Sequence, residues 1–247
     1  MKKIDINCDM GESYGAWVMG NDEAIMPYIT SANIACGFHA GDAHTMRKTV
    51  ASAIHHKVKI GAHPGLNDLP GFGRRPFPVS PEQVYDMVVV QIGALAAVAK
   101  SQGTRLHHVK AHGALYNMAA NNPALARAIA QAVLDLDGSL TLYALANSTQ
   151  ADIAREMGLQ VAHEVFADRS YQDDGTLTPR HMPGACISDI NQAIEQILCM
   201  LAEGYVITTS GKKLPILANT ICLHGDQPNA LAFARQIHAA LKKQGLI

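Results

Sequence analysis

The chain carries no long block of charge of either sign. Its 20 Lys and Arg nearly balance 21 Asp and Glu, for a formal net charge of -1. That excludes the basic footprint of a nucleic-acid binder and the charged patch of a membrane-surface protein. There is no run of about 18 apolar residues, the length a bilayer span requires, so none is predicted. The start, MKKIDINCDMGE, has two lysines but no apolar stretch behind them, and does not read as a signal peptide. The five cysteines, Cys8, Cys36, Cys186, Cys199 and Cys222, are odd in number, widely spaced and form no CxxC. This excludes a structural zinc knuckle and predicts a reduced, cytoplasmic protein. A P-loop is also missing. The nearest string, TSGKK at 209–213, lacks the first glycine of GxxxxGK[ST] and has Lys213 in place of the hydroxyl residue. No GxGxxG occurs, so the sequence offers no standard cradle for a nucleotide.

Apolar residues make up 48% of the 247, ample for a core. Short β-rich runs alternate with helical patterns, and several runs are apolar on both faces, as parallel strands covered by helices are. Strands are predicted near 2–8, 31–38, 59–63, 106–112, 140–146, 160–166 and 220–224. Ser80-Pro81-Glu82-Gln83 opens a helix, with Ser80 as N-cap, Pro81 in the first turn and Gln83 closing a capping box. Asn122-Pro123 opens another, Ser188 or Asp189 a third that ends before Gly204, and a last helix fills 228–243. Two β-like runs around Ser210-Gly211-Lys212 predict a hairpin insertion at 206–218. No Pro/Ser-rich linker divides the chain. The expectation is one α/β domain over 1–247, a distorted barrel of about seven parallel strands.

Four apolar runs end at a histidine followed within two residues by glycine: NIACGFHAGD, GAHPG, KAHGALY and CLHGD. Functional groups of parallel α/β folds sit where strands end, so His39, His63, His112 and His224 are predicted to share one rim. Asp5, Asn7 and Asp9 alternate along strand one and therefore face one side, taken as the barrel interior, with Glu12 in the loop beyond. Lys110 sits two residues before His112, and strand six delivers His163 or Glu164. The candidates for catalysis are Asp9, His39, His63, His112 and His224. Those for holding substrate or phosphate are Asn7, Glu12, Asp42, Lys110, Glu164 and Asp226. A histidine near its ordinary pKa of about 6.5 can move protons at neutral pH. Paired with Asp9, His63 or His112 could activate a water. Lys110 suits an oxyanion, and Arg74, Arg75 or Arg169 a carboxylate held by two parallel bonds. Asp42 has a structural alternative, as N-cap of the helix beginning AHTMRKTV. His and Asp clusters also hold divalent metals. Neither HxH nor HExxH is present, so a metal stays open.

Eight segments, in order, resemble the LamB/YcsF family: DINCDMGE at 5–12, SANIACGFHAGD at 31–42, IGAHPG at 60–65, GFGRR at 71–75, QIGAL at 91–95, HVKAHGALYN at 108–117, EVFADRSYQDDGTLTPR at 164–180 and CLHGD at 222–226. The chain departs from the family pattern at Ala111, where proline is usual, and at Gly65-Leu66-Asn67. The resemblance implies a seven-stranded barrel similar to glycoside hydrolases and deacetylases. It implies ATP-dependent opening of 5-oxoproline (pyroglutamate) to L-glutamate, together with two further subunits, PxpB and PxpC. Two other readings stand beside it: a metal-dependent amidohydrolase or deacetylase, and a protein that binds substrate for its partners without performing chemistry.

Overall fold

The computed structural model describes residues 3–223 and 230–247. The strands are β1 (Asp5–Met10), β2 (Ser31–Ala35), β3 (Lys59–His63), β4 (His108–Lys110), β5 (Thr141–Leu145), β6 (Gln160–Phe166), β7 (Tyr205–Ile207), β8 (Lys213–Pro215) and β9 (Thr220–Leu223). Seven of them close a parallel barrel in the order β1-β2-β3-β4-β5-β6-β9. Closure comes from β9, whose Thr220 stands opposite Asp5 of β1 on one side and Glu164 of β6 on the other. Strands β7 and β8 pair antiparallel with each other, outside the barrel.

Helices α1 (Asp22–Ile25), α2 (Ala43–His56), α3 (Pro81–Ser101), α4 (Gly113–Asn121), α5 (Pro123–Asp137), α6 (Thr149–Glu156), α7 (Ile190–Glu203) and α8 (Ala230–Lys243) connect the strands. Their starts are written locally. Ser80 and Gln83 form a reciprocal capping box, while Asn122, Ser148 and Asp189 each accept bonds from first-turn N–H groups. These satisfy donors that a helix start otherwise leaves bare. By length and composition α3 could cross a membrane. Here its inner face, including Val84, Val88, Ile92 and Leu95, is buried in the common core. Among these residues Gln91, fully buried, bonds the Gly65 backbone in both directions.

Three boundaries differ from the sequence reading. Strand β1 runs on to Met10 because Asp9 and Met10 pair with Asn33 and Ile34. Strand β2 stops at Ala35, before the turn Gly37–Gly41. Strand β4 is three residues long: the His112 N–H bonds to Pro64 O, and the next residue begins α4. Helix α4 is unmarked in the sequence because its far end abuts Asn122-Pro123, which punctuates one continuous apolar stretch. The last helix begins at Ala230 among the described residues.

The barrel interior is polar, and the period-two alternation of β1 is the reason. Asp5 accepts from Thr30, Ser31 and Thr220 at 2.6–2.8 Å and from Tyr143 at 3.2 Å. Burial works against its charge, but the Ser31 and Thr220 hydroxyls hold its pKa below the ordinary value. One layer higher, Asn7 donates to Glu164 at 2.9 Å and to Thr220 at 2.8 Å, and accepts from Asn33 at 2.7 Å. His108 reaches the same layer by a 2.7 Å bond to Asn33 Oδ1. Asp9 tops the stack and faces the strand ends.

Candidate active site

Asp9 is the hinge of the site. Its Oδ1 accepts from Asn33 at 2.8 Å and from the Lys110 ammonium at 3.0 Å. Its Oδ2 lies 3.4 Å from His63 Nε2. Lys110 also reaches Glu164 at 2.9 Å, Cys222 Sγ at 3.1 Å and Asn7 Oδ1 at 3.3 Å. Burial alone would lower the pKa of this lysine. Asp9, Cys222 and Glu164 overcome that and hold it well above its ordinary value. Lys110 is therefore a fixed cation, and its ammonium hydrogens are engaged by neighbouring groups of the barrel.

Above this layer three imidazoles meet, one from each of three strand ends. His39 lies flat on His112, with ring centroids 3.7 Å apart and planes 3° apart. His63 stands edge-on to both, at 5.4 Å from His39 and 4.9 Å from His112. All three are buried. Burial first, and then the neighbouring imidazoles, push His39 and His112 well below the ordinary histidine pKa. Glu12, also buried, approaches His39 Nε2 at 3.8 Å and His112 Nδ1 at 3.9 Å. Among the described residues, Glu12, His39, His63 and His112 each offer a ligand atom within 4.8 Å of the others, so the cluster could hold a metal ion.

Backbone carbonyls orient two of the rings. His63 Nδ1 is 2.8 Å from Lys110 O, and His112 Nε2 is 2.8 Å from Phe72 O. A carbonyl oxygen only accepts, so each of these nitrogens carries the hydrogen. The remaining nitrogens, His63 Nε2 and His112 Nδ1, face each other at 3.0 Å.

A cavity of about 580 Å³ opens beside the cluster, lined by Asp9, His63, Lys110 and His112 on one side and by Arg74, Phe166, Arg169 and Arg180 elsewhere. The three arginines proposed from sequence separate clearly. Arg75 is paired with Asp68, away from this cavity's lining. Arg169 donates to Thr178 O at 2.6 Å and Ala185 O at 3.2 Å, and so shapes the loop after β6. Arg74 lines the cavity with its guanidinium 4.8 Å from the centre of the Phe72 ring.

Of the other sequence candidates, Asn7 and Glu164 lie in the layer below Asp9. Asp42 caps α2 through Thr45 N at 2.8 Å and accepts from Gly15 N at 2.8 Å, the structural alternative of its two readings. Cys36, just past the end of β2 and not among those candidates, is buried, with its thiol pushed up to about 12 by burial. His224 and Asp226 lie outside the described residues. Sequence reading missed Asn33, which ties Asp9 to Asn7 and His108. Its signal was available: it stands three residues before Cys36 on the strand that leads to His39. It also missed Arg180 on the cavity wall, at the end of the segment 164–180.

Two glycines make room for His39. A Cβ on Gly65 would stand 2.5 Å from His39 Nδ1, and one on Gly73 would stand 2.7 Å from His39 Cβ. Gly65→Ala is expected to displace the His39 ring and to cost about 1–3 kcal/mol, the usual range for overpacking. Thermal melting together with a crystal structure of the variant checks this. An unmoved ring and an unchanged melting temperature would refute it.

The LamB/YcsF family model matches residues 4–247. A Bordetella pertussis protein named as the A subunit of 5-oxoprolinase is 62% identical over 243 residues, covering 98% of this chain and 96% of that protein. The crystal structure of a lactam utilization protein from Thermus thermophilus superposes with a TM-score of 0.94 at 46% identity, over 99% of this chain and 98% of that one. A family 4 carbohydrate esterase from Streptomyces lividans matches with a TM-score of 0.51 at 12% identity, over 99% and 90% of the two chains, a likeness of fold alone.

Proposed function

This chain belongs to the LamB/YcsF family, and from that premise we propose that it is the A subunit of a 5-oxoprolinase, opening the 5-oxoproline lactam to L-glutamate with consumption of ATP and together with two partner subunits, PxpB and PxpC. The observation that carries the reading is the convergence of Asp9, His63, His112 and a fixed Lys110 on one wall of the cavity. A relative named for this activity shares 62% of the aligned residues.

A five-membered lactam is an amide, and its resonance resists attack by water. Transfer of the ATP γ-phosphoryl group to the ring carbonyl oxygen makes the carbon electrophilic. Water then adds, the C–N bond breaks as the nitrogen takes a proton, and a second water releases phosphate from the acyl phosphate that remains. The residues supply the proton transfers. Asp9, beside His63, takes the proton of the attacking water, with the Lys110 cation holding Asp9 in place. His112, its Nε2–H anchored on Phe72 O, presents Nδ1 to the same point. Arg74 and Arg180, both on the cavity lining, receive the substrate carboxylate or the phosphate. Lys110 positions Asp9 rather than binding substrate, since the barrel already engages its hydrogens. With no P-loop in the sequence, the nucleotide site is completed by a partner. The cysteines are free, which supports a reducing, cytoplasmic location.

The test is glutamate release from 5-oxoproline by the purified chain, with and without PxpB and PxpC, each with and without ATP. Release only when all components are present is the expected result. Release by this chain alone without ATP would favour a simple amidohydrolase, and none in any combination would exclude the substrate.

A further inference from the structure

We propose that Glu12, His39, His63 and His112 form a mononuclear site for a borderline divalent transition metal, zinc in the first instance. The placement of hydrogens gives the first sign. The Lys110 and Phe72 carbonyls fix the N–H of His63 and of His112 on the nitrogens that point away from the cluster. The two that point inward, 3.0 Å apart, are then both lone pairs in the neutral rings. Two bare acceptors at that distance repel unless something positive lies between or beside them.

The third imidazole gives an independent sign. His39 is 1% exposed, and neither of its ring nitrogens has a hydrogen-bond partner among the described residues. A buried polar atom left in that state is costly. Its ring contacts among the described residues do not relieve it: it is stacked on His112 and makes T-shaped contacts with His63 and Phe72. Its Nε2 instead points toward Glu12, which also approaches His112 Nδ1.

The dimensions agree with a metal. Ligands about 2.1 Å from zinc stand roughly 3.4 Å from one another in a tetrahedron. Here the separations are 3.0, 3.8 and 3.9 Å, with every ligand atom within 4.8 Å of the rest. Three imidazoles and one carboxylate favour zinc and its neighbours over magnesium or calcium, which prefer all-oxygen shells. The outward hydrogen bonds of His63 and His112 to backbone carbonyls are the arrangement that metal-bound histidines adopt. None of these features depends on the identity of the substrate.

The experiment is metal analysis of the untagged, full chain purified without chelator, by inductively coupled plasma mass spectrometry. About one equivalent of a single transition metal per chain is expected, the stoichiometry of one four-ligand site. Chelation should lower the melting temperature, and added Zn²⁺ should restore it. Co²⁺ in its place should give the visible absorption of a four- or five-coordinate site. Glu12→Gln and His112→Gln should each lose most of the metal, while His55→Gln, on the exposed end of α2, should keep it. Protein that holds no metal, and whose melting temperature and spectrum do not respond to Zn²⁺, Co²⁺ or Mn²⁺, would overturn the proposal and leave an extra shared proton as the bridge. Equal metal in Glu12→Gln, His112→Gln and the unsubstituted chain would overturn it as well. The wild-type chelation and cobalt measurements decide the matter even where a variant fails to fold.

Discussion

Asp9→Asn is expected to lower the turnover number for glutamate release by the assembled enzyme by about 10³-fold, in the middle of the range for loss of a general acid–base group. The amide keeps the size of the carboxylate and can still accept from Asn33 and Lys110, which hold Asp9 Oδ1 at 2.8 and 3.0 Å. Lys110 keeps a charged partner in Glu164 at 2.9 Å, so the fold is retained. What disappears is the negative charge 3.4 Å from His63 Nε2. In the proposed mechanism that charge takes the proton of the attacking water. The deficit therefore appears in kcat, with KM little changed. Steady-state kinetics of the chain assembled with the proposed partner subunits read it directly. If kcat stayed intact and only KM rose, the chain would serve for binding, and its partners would carry the chemistry.

Lys110→Met should act chiefly on stability. Methionine is of similar length and fits a buried site. The substitution leaves two carboxylates, Asp9 and Glu164, without the cation that lies 3.0 and 2.9 Å from them. Glu164 is completely buried. Removing one member of such an arrangement costs about 3–5 kcal/mol, because the orphaned charge stays behind. For a chain of this size that corresponds to a fall in melting temperature of about 10 °C. Adding Glu164→Gln to Lys110→Met should recover a large part of the loss, since it removes the more deeply buried of the two charges. Calorimetry of the single and double variants forms a double-mutant cycle. Additive losses would show that the ion pairs contribute nothing, and Lys110 would then not be a structural cation.

The parts of this site that show in the sequence are those governed by strict periods. Alternation along β1 puts Asp5, Asn7 and Asp9 on one face, and the barrel has them inside. Strand ends carry His39, His63 and His112, and the parallel topology gathers all strand ends at one rim. The capping box at Ser80 is likewise a local pattern and can be read from four residues. What sequence could not supply depends on contacts between loops. The tautomers of His63 and His112 are fixed by the carbonyls of Lys110 and Phe72, and a carbonyl has no signature in the identity of its residue. The choice among Arg74, Arg75 and Arg169 rests on whether Asp68 or the Thr178 and Ala185 backbone claims the guanidinium. The end of β4 is hidden because apolar residues continue through Ala111 into α4. There the backbone turns to pair with Pro64, a choice made by the neighbouring strand.

The barrel is sealed by residues at opposite ends of the sequence. Asn7 and Asp5 bond Thr220 across 213 and 215 positions, and Cys222 completes the surroundings of Lys110. A ribosome would expose Asp9, His39, His63 and His112 long before the segment that fixes Lys110 between Asp9 and Glu164. During synthesis the nascent chain therefore holds a half-built pocket of ionisable groups, open to water and lacking its last wall. Contacts of such span form late and slowly. A complete pocket should thus appear abruptly, once the strand Thr220–Leu223 has joined the barrel, and the chain before that point is the stage at which a chaperone would have most to protect.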